Sequence, residues 1–285
     1  MKNKKKIPAF DIVIGKREKE LVNDCLDTSF ITQGSYVKRF EEKFSSYVNC
    51  NHGVTTTSGT TALHLACKTL DVGFGDEVLV SSSTNMACAF SIDQCGAIPV
   101  PIDIHTNTWQ MDMKKVEKKI TKKTKAIMVV HLFGHAADMD PLIKVAKKYN
   151  LKIIEDCAES HGVEYKGKRV GSIGDIGAFS FYANKTITSG EGGMIVTNSS
   201  KLAKKARSLK NLGYGKINKF MHEEIGFNYR LPNISGALGL GQLEKIEEII
   251  REKNRICECY TKNLQDIKGI NIPKIEKWVT RYIMW

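Results

Sequence analysis

Residues 126–156 read AIMVVHLFGHAADMDPLIKVAKKYNLKIIED. Positions 126–133 read as a strongly apolar strand, of the kind a parallel sheet buries on both faces. Asp140-Pro141 then offers an N-cap and a first-turn proline for a helix over PLIKVAKKYN. LKIIED comes next as another strand and ends on Glu155-Asp156. Short apolar runs alternating with segments of helical period predict an α/β architecture. The flanks repeat the pattern. Residues 61–70 place Ala62, Leu63, Ala66, Cys67 and Leu70 on one helical face, and EVLVSS (77–82) and IPVPID (98–103) read as strands. MDMKKVEKKI is a short helix, and GAFSFY and GMIVTN are two further strands on either side of Lys185.

A long helical pattern begins near Pro232, with Leu243, Ile246, Ile250, Cys257 and Tyr260 recurring at threes, fours and sevens. Its length predicts a helix that links a large domain to the C-terminal residues. The large domain is expected over residues 1–250, with an N-terminal arm and helix over 1–30. INIPKIEKWVTRYIMW then ends in a strand-like run with no later chain to pair it. Residues 251–285 are therefore expected to hold the end of the linking helix and the beginning of a truncated C-terminal small domain.

With 285 residues, 42% of them hydrophobic, the chain can bury a large core. The formal net charge is +12, in part from the opening MKNKKK, which reads as a frayed tail. The lysine runs at 114–125 and 201–210 read as solvated helix faces, and no aromatic residues interleave with them as base stacking requires. Nucleic acid is not an expected partner. The eight cysteines show no disulfide-framework spacing, and there is no signal peptide or apolar run of membrane-spanning length. A reducing cytoplasm fits.

Three polar clusters fall at element ends. TTTSGTTALHLA (55–66) sets Ser58-Gly59-Thr60 at a helix start, where orphan amides and the helix dipole make either an anion site or an ordinary hydroxyl cap. IIEDCAESHG (153–162) closes an apolar strand on Asp156, either in a ligand crevice or as a cap or arginine partner. Glu159 lies within reach of the same crevice, and His161 reads as a ligand, a base or a packed loop histidine. SFYANKTITSGEGG (180–193) sets Lys185 among apolar and glycine residues. Desolvation and nearby cations there would lower an amine pKa of ~10.4 and make it a nucleophile toward carbonyls. Combined, these clusters could hold pyridoxal 5′-phosphate: phosphate on Ser58-Gly59-Thr60, pyridinium nitrogen on Asp156, Schiff base on Lys185.

The sequence resembles the DegT/DnrJ/StrS-type sugar aminotransferases, of aspartate-aminotransferase fold type I. The likeness runs from PAFDIVIGKREKELVNDCLDTSFITQG through TSGTTALHLA, VVHLFGHAADMDPL, IEDCAESHGVEYKGKRVGSIGD and FSFYANKTITSGEGGMIVTN to GFNYRLPNISGALGLGQLEKI. It implies a large domain with a mainly parallel or mixed sheet flanked by helices, pyridoxal phosphate as cofactor, and amino transfer from glutamate to a nucleotide-linked keto sugar for polysaccharide synthesis. EDCAESHG and NKTITSGEGG are most similar to the branch that aminates a GDP-linked 4-keto-6-deoxy-mannose. By resemblance Lys185 is the Schiff-base lysine and proton shuttle, and Asp156 is the partner of the pyridine nitrogen. Glu159 lies near the phenolic oxygen, Gly59 and Thr60 are backbone phosphate donors, and Ser180 is a hydroxyl donor to the phosphate. Asn228, in GFNYR, reaches the phosphate of a neighbouring subunit, which implies a homodimer. Many members stack an aromatic residue on the cofactor ring where this chain has Asn85.

Three other readings compete. Related sugar dehydratases replace the lysine with histidine, which Lys185 opposes. A truncated chain could bind the cofactor without catalysing. A metal hydrolase on His131, His135 and Asp138 lacks the HExxH glutamate, so no metal is expected.

Overall fold

A strand apolar at successive positions, as 126–130 is, needs cover on two sides, and the chain supplies it with two layers of helices. The computed structural model describes residues 10–214 and 221–283; the MKNKKK tail, the first part of the expected 1–30 arm and Trp285 lie outside them. In chain order come α1 (Lys16–Asp27), α2 (Ser35–Tyr47), β1 (His52–Thr56), α3 (Gly59–Thr69), β2 (Glu77–Ser81), α4 (Ala87–Asp93) and β3 (Ile98–Ile102). Next are α5 (Met113–Val116), β4 (Thr124–Val130), α6 (Met139–Tyr149), β5 (Lys152–Asp156), β6 (Glu164–Tyr165), β7 (Lys168–Arg169), β8 (Ile176–Ser180) and β9 (Gly193–Thr197). The last are α7 (Ser200–Leu209), α8 (Asn233–Glu244), α9 (Ile246–Leu264) and β10 (Val279–Arg281).

The seven-stranded sheet has the order β1-β9-β8-β5-β4-β2-β3. Neighbours from β8 to β3 run parallel, and β9 is antiparallel to both β8 and β1. Along β4, Ala126, Met128 and Val130 join the core that contains α3, α4 and α7 residues, while Ile127 and Val129 join the core that contains α1, α2, α6 and α8 residues. Side chains alternate between the faces of a strand, so both halves of the apolar run are buried. The register pairs Val130 with Asp156, which puts the strand-end carboxylate at the carboxyl edge of the sheet. The expected α/β class and mixed sheet are what the chain forms.

Three expectations change. The helix after β4 begins at Met139 with Asp138 at its N-cap, two residues earlier than Asp140. Tyr165 decides this: its hydroxyl donates to Asp138 Oδ1 (2.8 Å) and accepts the Asp140 N–H (3.1 Å). Pro141 stays within the first turn, where a missing N–H costs no helical bond. The long pattern from Pro232 breaks at Lys245 into α8 and α9. There the Lys245 ammonium leaves the helix surface for Glu18 (2.5 Å) and the Val13 carbonyl (2.9 Å). Leu243, Ile246 and Ile250 are buried as the spacing predicts, but Tyr260 is exposed. The terminal strand-like run does find a partner: Val279 of β10 pairs with Tyr165 of β6, and the Trp278 indole donates to the Ala136 carbonyl.

Helix α2 is tied to β1 through a buried ion cluster. Glu41 accepts from Lys210 Nζ (2.9 Å), Arg207 Nη1 (2.5 Å) and the Thr55 amide (2.8 Å). Burial by itself would raise the Glu41 carboxyl, but attraction to Lys210 and Arg207 outweighs it and leaves the pKa lowered. Lys210→Met should therefore cost about 3 kcal/mol, because it leaves a buried carboxylate short of a cation. Denaturant unfolding at neutral pH measures this.

Candidate active site

The carboxyl edge of β4 and β5 meets the start of α3 around a cavity of about 280 Å³. Its lining includes Ser58, Gly59, Thr60, Asn85, Asp156, Glu159, Ser180 and Lys185. These positions lie as much as 127 residues apart in the chain (58 to 185). Asn228 does not line this cavity; it is exposed, bridges to Asn211, and accepts from Arg230 Nε at 2.8 Å.

Ser58 is an N-cap and also a wall of the cavity. Its Oγ accepts from the Thr61 amide, and its carbonyl accepts the Ala62 amide. The amides of Gly59 and Thr60 remain at the helix start, where an anion is favoured by the dipole. Close packing shapes this cup. A Cβ on Gly59 would lie 2.6 Å from Ser180 Cβ, and one on Gly193 would lie 2.1 Å from the Ser58 carbonyl oxygen. Neither position has room for a side chain, and the Ser180 hydroxyl stands beside the helix start.

Asp156, which also lines the cavity, is buried and its two oxygens are held separately. Oδ1 accepts the Ala158 amide at 3.0 Å, and Oδ2 accepts the Cys88 thiol at 2.9 Å. Among the described residues, neither an arginine nor a helix start takes it up. Lys185 sits in the β8–β9 connection, with its side chain 13% exposed and Nζ 3.8 Å from Glu159 Oε1. Burial lowers its amine pKa, against the opposing pull of Glu159 and Asp156. Burial raises the Glu159 carboxyl, partly offset by the Phe133 amide (3.0 Å) and by Lys185. Phe133 offers that amide from a left-handed backbone at φ 52°, an unusual conformation for an aromatic residue.

Sequence reading missed Thr84, Tyr182, Asn184 and Glu191, which also line the cavity. All four flank motif positions, and no spacing rule marks them. His161 is a packed core residue, stacked on Phe179 and Phe181 at centroid distances of 5.6 and 5.5 Å. His131, His135 and Asp138 do not converge. His131 Nε2 is 3.0 Å from Glu155, His135 accepts the Glu276 amide at Nε2, and Asp138 accepts from Tyr165.

An anion cup, a buried carboxylate and an amine lining one cavity suit a flat heteroaromatic phosphate that carries an aldehyde. Pyridoxal 5′-phosphate has those groups. The chain is 45% identical over 268 residues to the GDP-perosamine synthase of Escherichia coli O157:H7, covering 94% of this chain and 74% of that one. To the GDP-perosamine synthase of Vibrio cholerae it is 41% identical over 284 residues, covering 98% and 77%. Among solved structures, S. venezuelae DesV in complex with a ketimine intermediate superposes with a TM-score of 0.88 at 36% identity, covering 92% of this chain and 70% of that one. With the DegT/DnrJ/EryC1/StrS aminotransferase family model matching residues 13–285, the chain belongs to that family.

Proposed function

We propose that this chain is a pyridoxal-phosphate-dependent sugar-nucleotide aminotransferase that moves an amino group from glutamate to the keto group of a GDP-linked 4-keto-6-deoxy sugar. The observation that carries the reading is the largely buried Lys185 amine standing in one cavity with the α3 helix start and Asp156. The perosamine synthases named above supply the sugar class. Bound pyridoxal phosphate supplies a carbonyl carbon that accepts an amino group and a ring that takes up electron density. The Gly59 and Thr60 amides and the Ser180 hydroxyl bind its phosphate. Asp156 keeps a proton on the ring nitrogen, because a buried carboxylate favours a cation beside it. Lys185, made easier to deprotonate by burial, takes and returns a proton at Nζ. Glu159 holds Lys185 from one side. Asn85 lines the cavity where many relatives carry an aromatic residue that stacks on the ring.

Asn228 is proposed to reach the phosphate of a second copy, so that the working unit is a homodimer in the cytoplasm. Residues 1–250 then form the cofactor-binding unit, and 251–285 carry the chain from the linking helix into a second domain. Among the described residues no helix is long and apolar enough to cross a membrane.

The test is direct. Protein incubated with pyridoxal phosphate should gain a visible band that borohydride abolishes. With glutamate and GDP-4-keto-6-deoxy-mannose it should yield 2-oxoglutarate and an amino sugar in equal amounts. A protein that gains no such band refutes the reading.

A further inference from the structure

Cys88, in the first turn of α4, is fully buried and does not itself line the cavity. Its Sγ lies 2.9 Å from Asp156 Oδ2 and 3.1 Å from Thr84 Oγ1. A thiol has one proton to give. If it goes to the carboxylate, the Thr84 hydroxyl must donate into the sulfur, and a relay runs from Thr84 through Cys88 to Asp156. The opposite oxygen of Asp156 is held by the Ala158 amide at 3.0 Å. The start of α4 is fixed in turn by Asn85, whose Oδ1 accepts the Ala87 amide at 2.9 Å.

We infer that Cys88 is a positioning residue, whose thiol sets the plane of the Asp156 carboxylate so that one oxygen edge meets the ring nitrogen of the bound cofactor. The inference rests on the role proposed above for Asp156. With one donor on each oxygen, the carboxylate cannot rotate without losing a bond, and its remaining lone pairs point in fixed directions. A thiol is a weak donor, so it orients the carboxylate without withdrawing much of the charge the ring proton needs. Burial and the neighbouring Asp156 charge both raise the Cys88 thiol well above its usual range, which keeps it a donor across working pH.

The experiment is titration of apoprotein with pyridoxal phosphate, followed by fluorescence, for the native chain, Cys88→Ala, Cys88→Ser, Asp156→Asn and the Cys88→Ala/Asp156→Asn pair. Cys88→Ala should bind the cofactor about tenfold more weakly, the loss expected for a hydrogen bond to a charged group. Cys88→Ser should recover most of that loss. In the Asp156→Asn background, Cys88→Ala should add nothing. Turnover should fall in Cys88→Ala with the KM for the sugar unchanged. If Cys88→Ala does not fold, Cys88→Val, which fills the space without the proton, makes the same comparison. Additive losses in the pair, or a serine variant as weak as alanine, overturn the inference and leave Cys88 as packing. A native chain that binds no pyridoxal phosphate instead overturns the reading of the whole site.

Discussion

Replacing Lys185 by alanine is expected to lower transamination by about a thousandfold or more, the range set by loss of a covalent anchor and a positioned base. The expectation comes from the surroundings of Nζ. The side chain is 13% exposed, and burial lowers its pKa against the pull of Glu159 at 3.8 Å. A neutral amine is therefore easier to reach here than at a surface lysine. Lys185→Arg keeps the positive charge but gives no readily neutral amine, so it should fail as completely as alanine. Steady-state turnover with glutamate and a keto sugar nucleotide measures the loss. Borohydride trapping followed by peptide mass analysis should place the cofactor on the peptide containing Lys185 in the native chain and on none in the variant. Full turnover in Lys185→Ala would end the assignment.

The second large effect concerns acid stability. Burial holds the His161 imidazole at about 3, with the charges of Lys185 and Lys253 adding to the shift. The unfolded chain binds this proton near pH 6.5. Between those values the unfolded state carries more protons than the folded one, so stability falls as pH is lowered. The loss is about 3 kcal/mol by pH 4.5 and about 5 kcal/mol by pH 3, at 1.36 kcal/mol per unit. The carboxyls of Glu41 and Glu155 are lowered in the fold despite their burial. Their stabilisation is present above the unfolded carboxylate range of about 4 and is lost as pH falls below it, so they add to the same trend. His161→Leu should flatten the slope between pH 6.5 and 4.5, whatever it does to stability at pH 7.5. Denaturant midpoints at three pH values measure this, and an unchanged slope would show that His161 is not the proton acceptor.

The fold class was legible in the order of residues, and so were eight of the residues that line the candidate cavity. The apolar positions 126–130 could be buried only between two layers, and helix-period segments stood ready on either side; the strand stops at Val130 and Phe133 is exposed. Ser58-Gly59-Thr60, Asp156 and Lys185 were marked because each puts an unusual chemical group at an element end. Local rules failed where a distant partner competed. Asp138 caps α6 in place of Asp140 because Tyr165 holds both residues. Lys245 ends α8 because Glu18 and Val13 draw its ammonium across to the start of the chain. The final strand gained its partner from β6, more than a hundred residues earlier (279 against 165).

By itself, then, the sequence determined the alternation of strands and helices, the three polar element ends and the family they resemble. These depend on periodicity and on side-chain chemistry within a few residues. Tertiary structure alone decided that the three ends share one cavity, that Cys88 gives its thiol proton to Asp156, and that Phe133 gives its amide to Glu159. Such contacts join residues far apart in the chain, and their energies depend on distances that no local pattern carries.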